Sequence, residues 1–168
     1  MSGRRAAAWL GGAALLVVAG LAFGWGDDGR DGPWLHTLQH ADDATEQWAS
    51  DVRAHWKQRA PIAGWPRDGV TQRYETCLRA DAPRRLRLRL GADDAVSLRV
   101  ADVTLQQRRE AADYAETVND VKVPAGVVPI VVTSRDLEGA HSVQLWVEND
   151  DGGRQQLPMR WLQRPPCG

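Results

Sequence analysis

The sequence lacks a second apolar run. From Ala6 to Gly26 no residue carries charge, and nothing after Gly26 approaches the roughly 18 apolar residues of a further membrane span. A multi-span transporter is therefore excluded. No cysteine follows the run to take a lipid, so a bacterial lipoprotein is excluded as well. Lysine is almost missing: only Lys57 and Lys122 stand among 21 basic residues, a bias best read as genomic composition. An excess of positive charge is missing too. The net charge is -1, and setting aside residues 1–26, with Arg4 and Arg5, leaves an acidic excess. That is no footprint for nucleic acid. There is no glycine-rich phosphate loop and no Gly-x-Ser-x-Gly elbow. These absences argue against an enzyme.

What remains is a polar chain with an apolar head. The 168 residues leave room for one ordinary domain and a short appendage. The mean hydropathy is -0.44, so the apolar character is concentrated at the start. Arg4 and Arg5 precede the run, while Asp27, Asp28 and Asp31 follow it. The positive-inside rule then leaves the N-terminus in the cytoplasm and the domain outside. The run is long enough for a retained anchor over residues 1–26, with Trp9 and Trp25 near its two ends. Residues 6–26 would meet the lipid bilayer. The expected location is the bacterial inner membrane, single-pass, with the soluble part in the periplasm. Cleavage near Gly20-Leu21-Ala22 and secretion is the alternative.

In an exported domain the two cysteines, Cys77 and Cys167, most simply form one disulfide. Two unrelated thiols are the other reading.

Residues 27–51 read as a linker and a juxtamembrane amphipathic helix. DDGRDGP is rich in turn formers. From Trp34 to about Ser50, Leu38, Ala41, Thr45, Trp48 and Ala49 recur at helical spacing. His36 and His40 would then lie one turn apart with Asp43, a spacing that can bind zinc. Thr37 stands where a metalloprotease would need its Glu, so a solvated helix face is the plainer reading.

From Val52 the period changes to two. Residues 52–168 read as an antiparallel β-sandwich, preceded by the transmembrane helix and the short amphipathic helix. Strands are expected at Val52–Trp56, Val70–Leu78, Arg85–Leu90, Ala95–Val103, Val127–Thr133, Val143–Val147 and Leu157–Leu162. Gln106–Glu116 is polar and reads as a short helix or an extended loop. Leu86, Leu88 and Leu90 face one way, while Arg85, Arg87 and Arg89 face the other. With Arg84 the arginines form a stripe, read as a solvated face. Sugar or lipopolysaccharide phosphates are its alternative partners. Trp146 lies within a strand and is assigned to the core. Trp65, beside Pro66, is a candidate to stack on a sugar ring.

Asp93-Asp94 sits in a turn between two strands. Adjacent carboxylates repel unless a cation or backbone donors compensate, and calcium takes oxygen ligands from such loops. A second loop must help to fill the shell, and Asp136-Leu137-Glu138-Gly139 and Asn149-Asp150-Asp151 are acidic turns.

Together these residues resemble the protective-antigen-type β-sandwich family, over about residues 52–162. The stretch TQRYETCLRADAPRRLRLRLGADDAVSLRVADVTL is similar to the family's centre, with its Arg-aromatic pair and Asp-Asp turn. VPAGVVPIVVTSRDLEGAHSVQLWVE resembles the closing hairpin. In lectin members the Asp-Asp turn, with a cis peptide, holds a calcium ion that binds sugar hydroxyls. The resemblance therefore implies Asp93, Asp94 and Asp136 as metal and carbohydrate ligands, with backbone oxygens near Leu137 and Glu138. Ala95 stands where the family often has Gly, and Leu and Arg replace its usual aromatics before the turn. The expected function is a membrane-anchored envelope protein that recognises a glycan or envelope saccharide through calcium. The rival is a metal-free accessory module that binds a membrane protein partner, such as an envelope polysaccharide enzyme.

Overall fold

The leucine alternation at 86, 88 and 90 buries one side of a strand and leaves arginines on the other. The computed structural model, which describes residues 32–56, 64–66, 68–110 and 112–168, shows this pattern repeated through two sheets. Strands β1 (Trp34–His40), β2 (Asp43–Ala49), β3 (Arg53–Trp56), β4 (Thr71–Ala80), β5 (Arg84–Ala92) and β6 (Ala95–Val100) come first. They are followed by β7 (Val103–Arg108), β8 (Ala115–Val123), β9 (Gly126–Arg135), β10 (His141–Glu148), β11 (Arg154–Gln155) and β12 (Leu162–Gln163).

The larger sheet runs β2-β1-β4-β9-β6-β7, with β12 also paired to β4. The smaller runs β11-β10-β5-β8, with β3 paired to β10. Every pairing is antiparallel. The inner faces meet in one core that includes Leu88, Leu90, Leu98, Ile130 and Val132, all fully buried. Burying each such side chain contributes about 1.5–3 kcal/mol. The expected β-sandwich is therefore present.

Three expectations change. Trp34–Ser50 is not an amphipathic helix but the hairpin β1–β2, closed by His40 opposite Asp43 across Ala41-Asp42. Trp34, His36 and Leu38 point into the core at a period of two. His36 and His40 thus lie about 13 Å apart along a strand and form no zinc pair. Gln106–Glu116 is neither helix nor loop throughout: its ends belong to β7 and β8. The last expected strand shrinks to β12, preceded by a 3-10 turn at Met159–Trp161. The apolar run at residues 6–26 lies outside the described residues, among which no helix is long and apolar enough to cross a membrane.

Cys77 and Cys167 form a disulfide that ties the C-terminal segment to β4. Such a bond belongs in an oxidising, extracytoplasmic compartment. The Arg stripe is not free for phosphate along its length. Arg87 and Arg89 both pair with the buried Glu148, at 2.8 Å and 2.5 Å, and Arg89 also reaches Glu116. Arg84 lies over the Trp161 ring.

Candidate functional site

The small sheet positions the site. Its inner positions, Val143, Leu145 and Val147 on β10, are buried, so Ser142, Gln144 and Trp146 face outward. Trp146 is therefore no core residue. It is half-buried on the outer face, under the Arg154 guanidinium 4.6 Å from the ring centroid. On the neighbouring β5 the outward position opposite Gln144 is Gly91. A Cβ there would fall 2.2 Å from the Tyr114 hydroxyl and 2.8 Å from its ring carbon. Tyr114 thus lies directly on bare backbone, and only glycine permits it. We expect Gly91→Ala to lift Tyr114 off the sheet without unfolding the core, seen as a changed Tyr114 resonance with an unchanged far-UV spectrum. An unmoved ring would refute that packing.

These groups line an open cleft of about 1080 Å³. Its walls include Asp93, Asp94, His55, Tyr114, Trp146 and Arg154. Arg154 is held by Glu116 at 2.7 Å, and the Tyr114 hydroxyl donates to the same carboxylate.

Asp93 and Asp94 close the end of β5. Asp94 has φ +52°, a left-handed conformation that Asp tolerates better than most residues. The one cis peptide among the described residues is Pro165–Pro166, so the expected cis bond in the Asp-Asp turn is absent. Arg108 on β7 clamps the turn by donating to the Asp94 and Ala92 carbonyls at 2.7 and 2.9 Å. The Asp93 carboxylate accepts the Ser142 amide at 2.7 Å. The Asp94 carboxylate accepts the Leu137 amide at 2.9 Å and the Glu138 amide at 3.4 Å. The loop at 137–138 was expected to offer backbone oxygens. It turns N–H groups toward Asp94 instead.

Asp136 is fully buried beside Asp94, and the Trp56 indole donates to it at 3.0 Å. Burial, with the charges of Asp68 and Asp94, pushes its carboxyl up to about 6. Burial also raises Asp93 above the ordinary carboxylate range. Trp65 stands apart from the cleft, 6.0 Å from the His40 ring.

Sequence reasoning missed His141. Its imidazole is fully buried, and Asp93, Asp94 and His141 each offer a ligand atom within 4.8 Å of the others. It also missed Tyr114, Gly91 and Arg108. Trp146 and Gly91 were recoverable from the period of two, whereas His141 has no partner at a telling spacing.

The three groups suit a divalent cation. They fit calcium less well, because calcium takes six to eight oxygens. The described residues bring together two carboxylates and a nitrogen, with Asp136 turned to Trp56.

No protein-family model matches the chain. No curated protein matches it either. Solved structures do. An anti-sigma factor domain-containing protein from Clostridium clariflavum matches with a TM-score of 0.65, at 16% identity, over 85% of this chain and 52% of that one. The chain thus spans about half the length of that protein. The PA14 sugar-binding domain from an RTX adhesin matches with a TM-score of 0.51, at 12% identity, over 58% of this chain and 56% of that one. The A domain of Epithelial Adhesin 9 from Candida glabrata, solved in complex with Galb1-4GlcNAc, matches with a TM-score of 0.56. It is 6% identical, over 75% of this chain and 85% of that one. The protective-antigen-type resemblance read from the sequence is thus matched in the fold.

Proposed function

We propose that this protein is an extracytoplasmic, non-catalytic glycan-binding module, held at the membrane by residues 6–26. The cleft carries the reading. Tyr114, exposed in the cleft, offers an aromatic face on which a sugar ring can stack, and Trp146 lies in the same cleft under the Arg154 guanidinium. Gln144, Ser142 and Arg154 offer polar groups around them, as small-ligand sites do. Asp93 and Asp94 would hold a divalent cation, with Asp136 behind them. Such an ion supplies positions for vicinal hydroxyls, and calcium is the one the family resemblance implies. The sugar-bound adhesin domain of similar fold supports the reading.

The rival reading, a metal-free partner module, calls for a contiguous exposed apolar patch. The exposed large apolar side chains among the described residues are Val103, Tyr114 and Met159, on three separate segments. That distribution favours the cleft.

The test is glycan-array screening of the full chain, followed by calorimetry on the best ligand. Tyr114→Ala and Trp146→Ala are each expected to weaken binding about tenfold or more, about 1.4 kcal/mol. Unchanged affinity in both variants, or an array with no ligand, would overturn the proposal.

A further inference from the structure

The His141 imidazole is fully buried, and its two nitrogens have different surroundings. Nε2 lies 3.2 Å from the hydroxyl of the buried Ser134. Nδ1 has no hydrogen-bond partner, yet it stands 3.4 Å from Asp93 Oδ1. In the tautomer with the proton on Nε2, donated to Ser134, the Nδ1 lone pair points at the Asp93 carboxylate oxygen. Two acceptors facing each other repel unless something positive sits between them.

The separation is itself informative. Two donors bound to one ion at about 2.0–2.2 Å in a tetrahedral arrangement lie about 3.3–3.6 Å apart. Ligating histidines commonly donate their other ring N–H to a neighbour, and ligating carboxylates are themselves hydrogen-bonded. Both conditions hold here: Ser134 serves His141, the Ser142 amide serves Asp93, and the Leu137 and Glu138 amides serve Asp94. A buried nitrogen donor suits a borderline ion such as zinc, whereas calcium and magnesium prefer oxygen alone.

We propose that Asp93, Asp94 and His141 form a site for a borderline divalent transition ion, of which zinc is the probe, in preference to calcium. The three protein donors leave a fourth position facing the cleft, where a water or a ligand oxygen can bind. This deepens the glycan-binding reading by naming its ion, and it rests on that reading only for the fourth position.

The experiment uses the full chain in detergent, stripped with EDTA, then titrated by calorimetry with zinc chloride alone and with calcium chloride alone. The expected result is one zinc per chain, a rise in Tm, and an affinity at least a hundredfold above that for calcium. His141→Ala is expected to lower zinc affinity at least tenfold. Asp93→Asn, nearly the same in shape, does the same and covers the case where His141→Ala fails to fold. His40→Ala, on β1 and away from the cleft, leaves zinc affinity unchanged. Calcium binding as tight as zinc, no zinc binding, or zinc affinity unchanged in both cluster variants would overturn the proposal. Glycan binding by the wild type together with no zinc binding in the titration would remove this inference and leave the glycan reading standing. One zinc bound with no glycan on the array would do the reverse.

Discussion

Replacing Cys77 and Cys167 together by serine is expected to lower folding stability by about 4–5 kcal/mol. The bond closes a loop with a sequence separation of 90. In the chain-entropy account a loop of that length removes about this much freedom from the unfolded chain. For a domain of this size the loss corresponds to a fall in Tm of about 10–15 °C. Two further effects push the same way. Cys77 is fully buried, so serine places a hydroxyl in its site. The Cys167 segment then no longer covers β4. Urea denaturation of the double variant and the wild type at pH 7 measures the difference. The denaturant slope should rise too, because the unfolded chain becomes more expanded. A change below about 1 kcal/mol would mean that the β12 pairing alone holds the C-terminal segment.

Acid should destabilise the fold through His36. Its ring is 6% exposed and stacks on Tyr74 with centroids 4.0 Å apart. The Gln47 amide nitrogen lies 3.1 Å from Nδ1, and Gln72 Oε1 lies 3.0 Å from Nε2. That arrangement suits a neutral ring with its proton on Nε2. Burial lowers the His36 pKa to about 4, against an ordinary 6.5, while the Gln72 hydrogen bond opposes the shift. Between those two values the unfolded chain binds a proton that the folded chain refuses. Stability therefore falls as pH falls through that window and is flat above it. The drop attributable to His36 is about 3 kcal/mol by pH 4. Denaturation at pH 7 and pH 4.5 reads the loss, and an NMR titration of the ring identifies its source. A His36 midpoint near 6.5 would contradict this.

The sandwich was legible because its strands obey period two where one face is dry. Leu86, Leu88 and Leu90, then Val96, Leu98 and Val100, are core residues in the structure as in the pattern. The Asp-Asp turn and the cysteine pair were legible for chemical reasons that do not depend on long-range contacts. The β1–β2 hairpin was not. Its tight turn is Ala41-Asp42, with Ala41 at φ +50°, and neither Gly nor Asn marks the reversal. Without that mark, the apolar residues on two facing strands imitate a helical stripe. The candidate metal cluster was only partly legible, because Asp93 and His141 are brought together by the β5–β10 pairing. Nothing in the local sequence of His141 records which strand lies beside it. Tyr114 was hidden for another reason: its placement depends on what Gly91 leaves out.

One hydroxyl on β4 carries a mechanical consequence. Thr76 Oγ1 lies 2.9 Å from the Pro33 carbonyl and 3.0 Å from the Gln163 carbonyl. Arg164 also donates to the Gly32 carbonyl. The backbone thus enters and leaves the large sheet side by side, next to the disulfide. Tension applied between residues 32 and 164 would be borne by this short staple rather than passed through the strands. The cleft, on the outer face of the other sheet, would keep its shape under such a load.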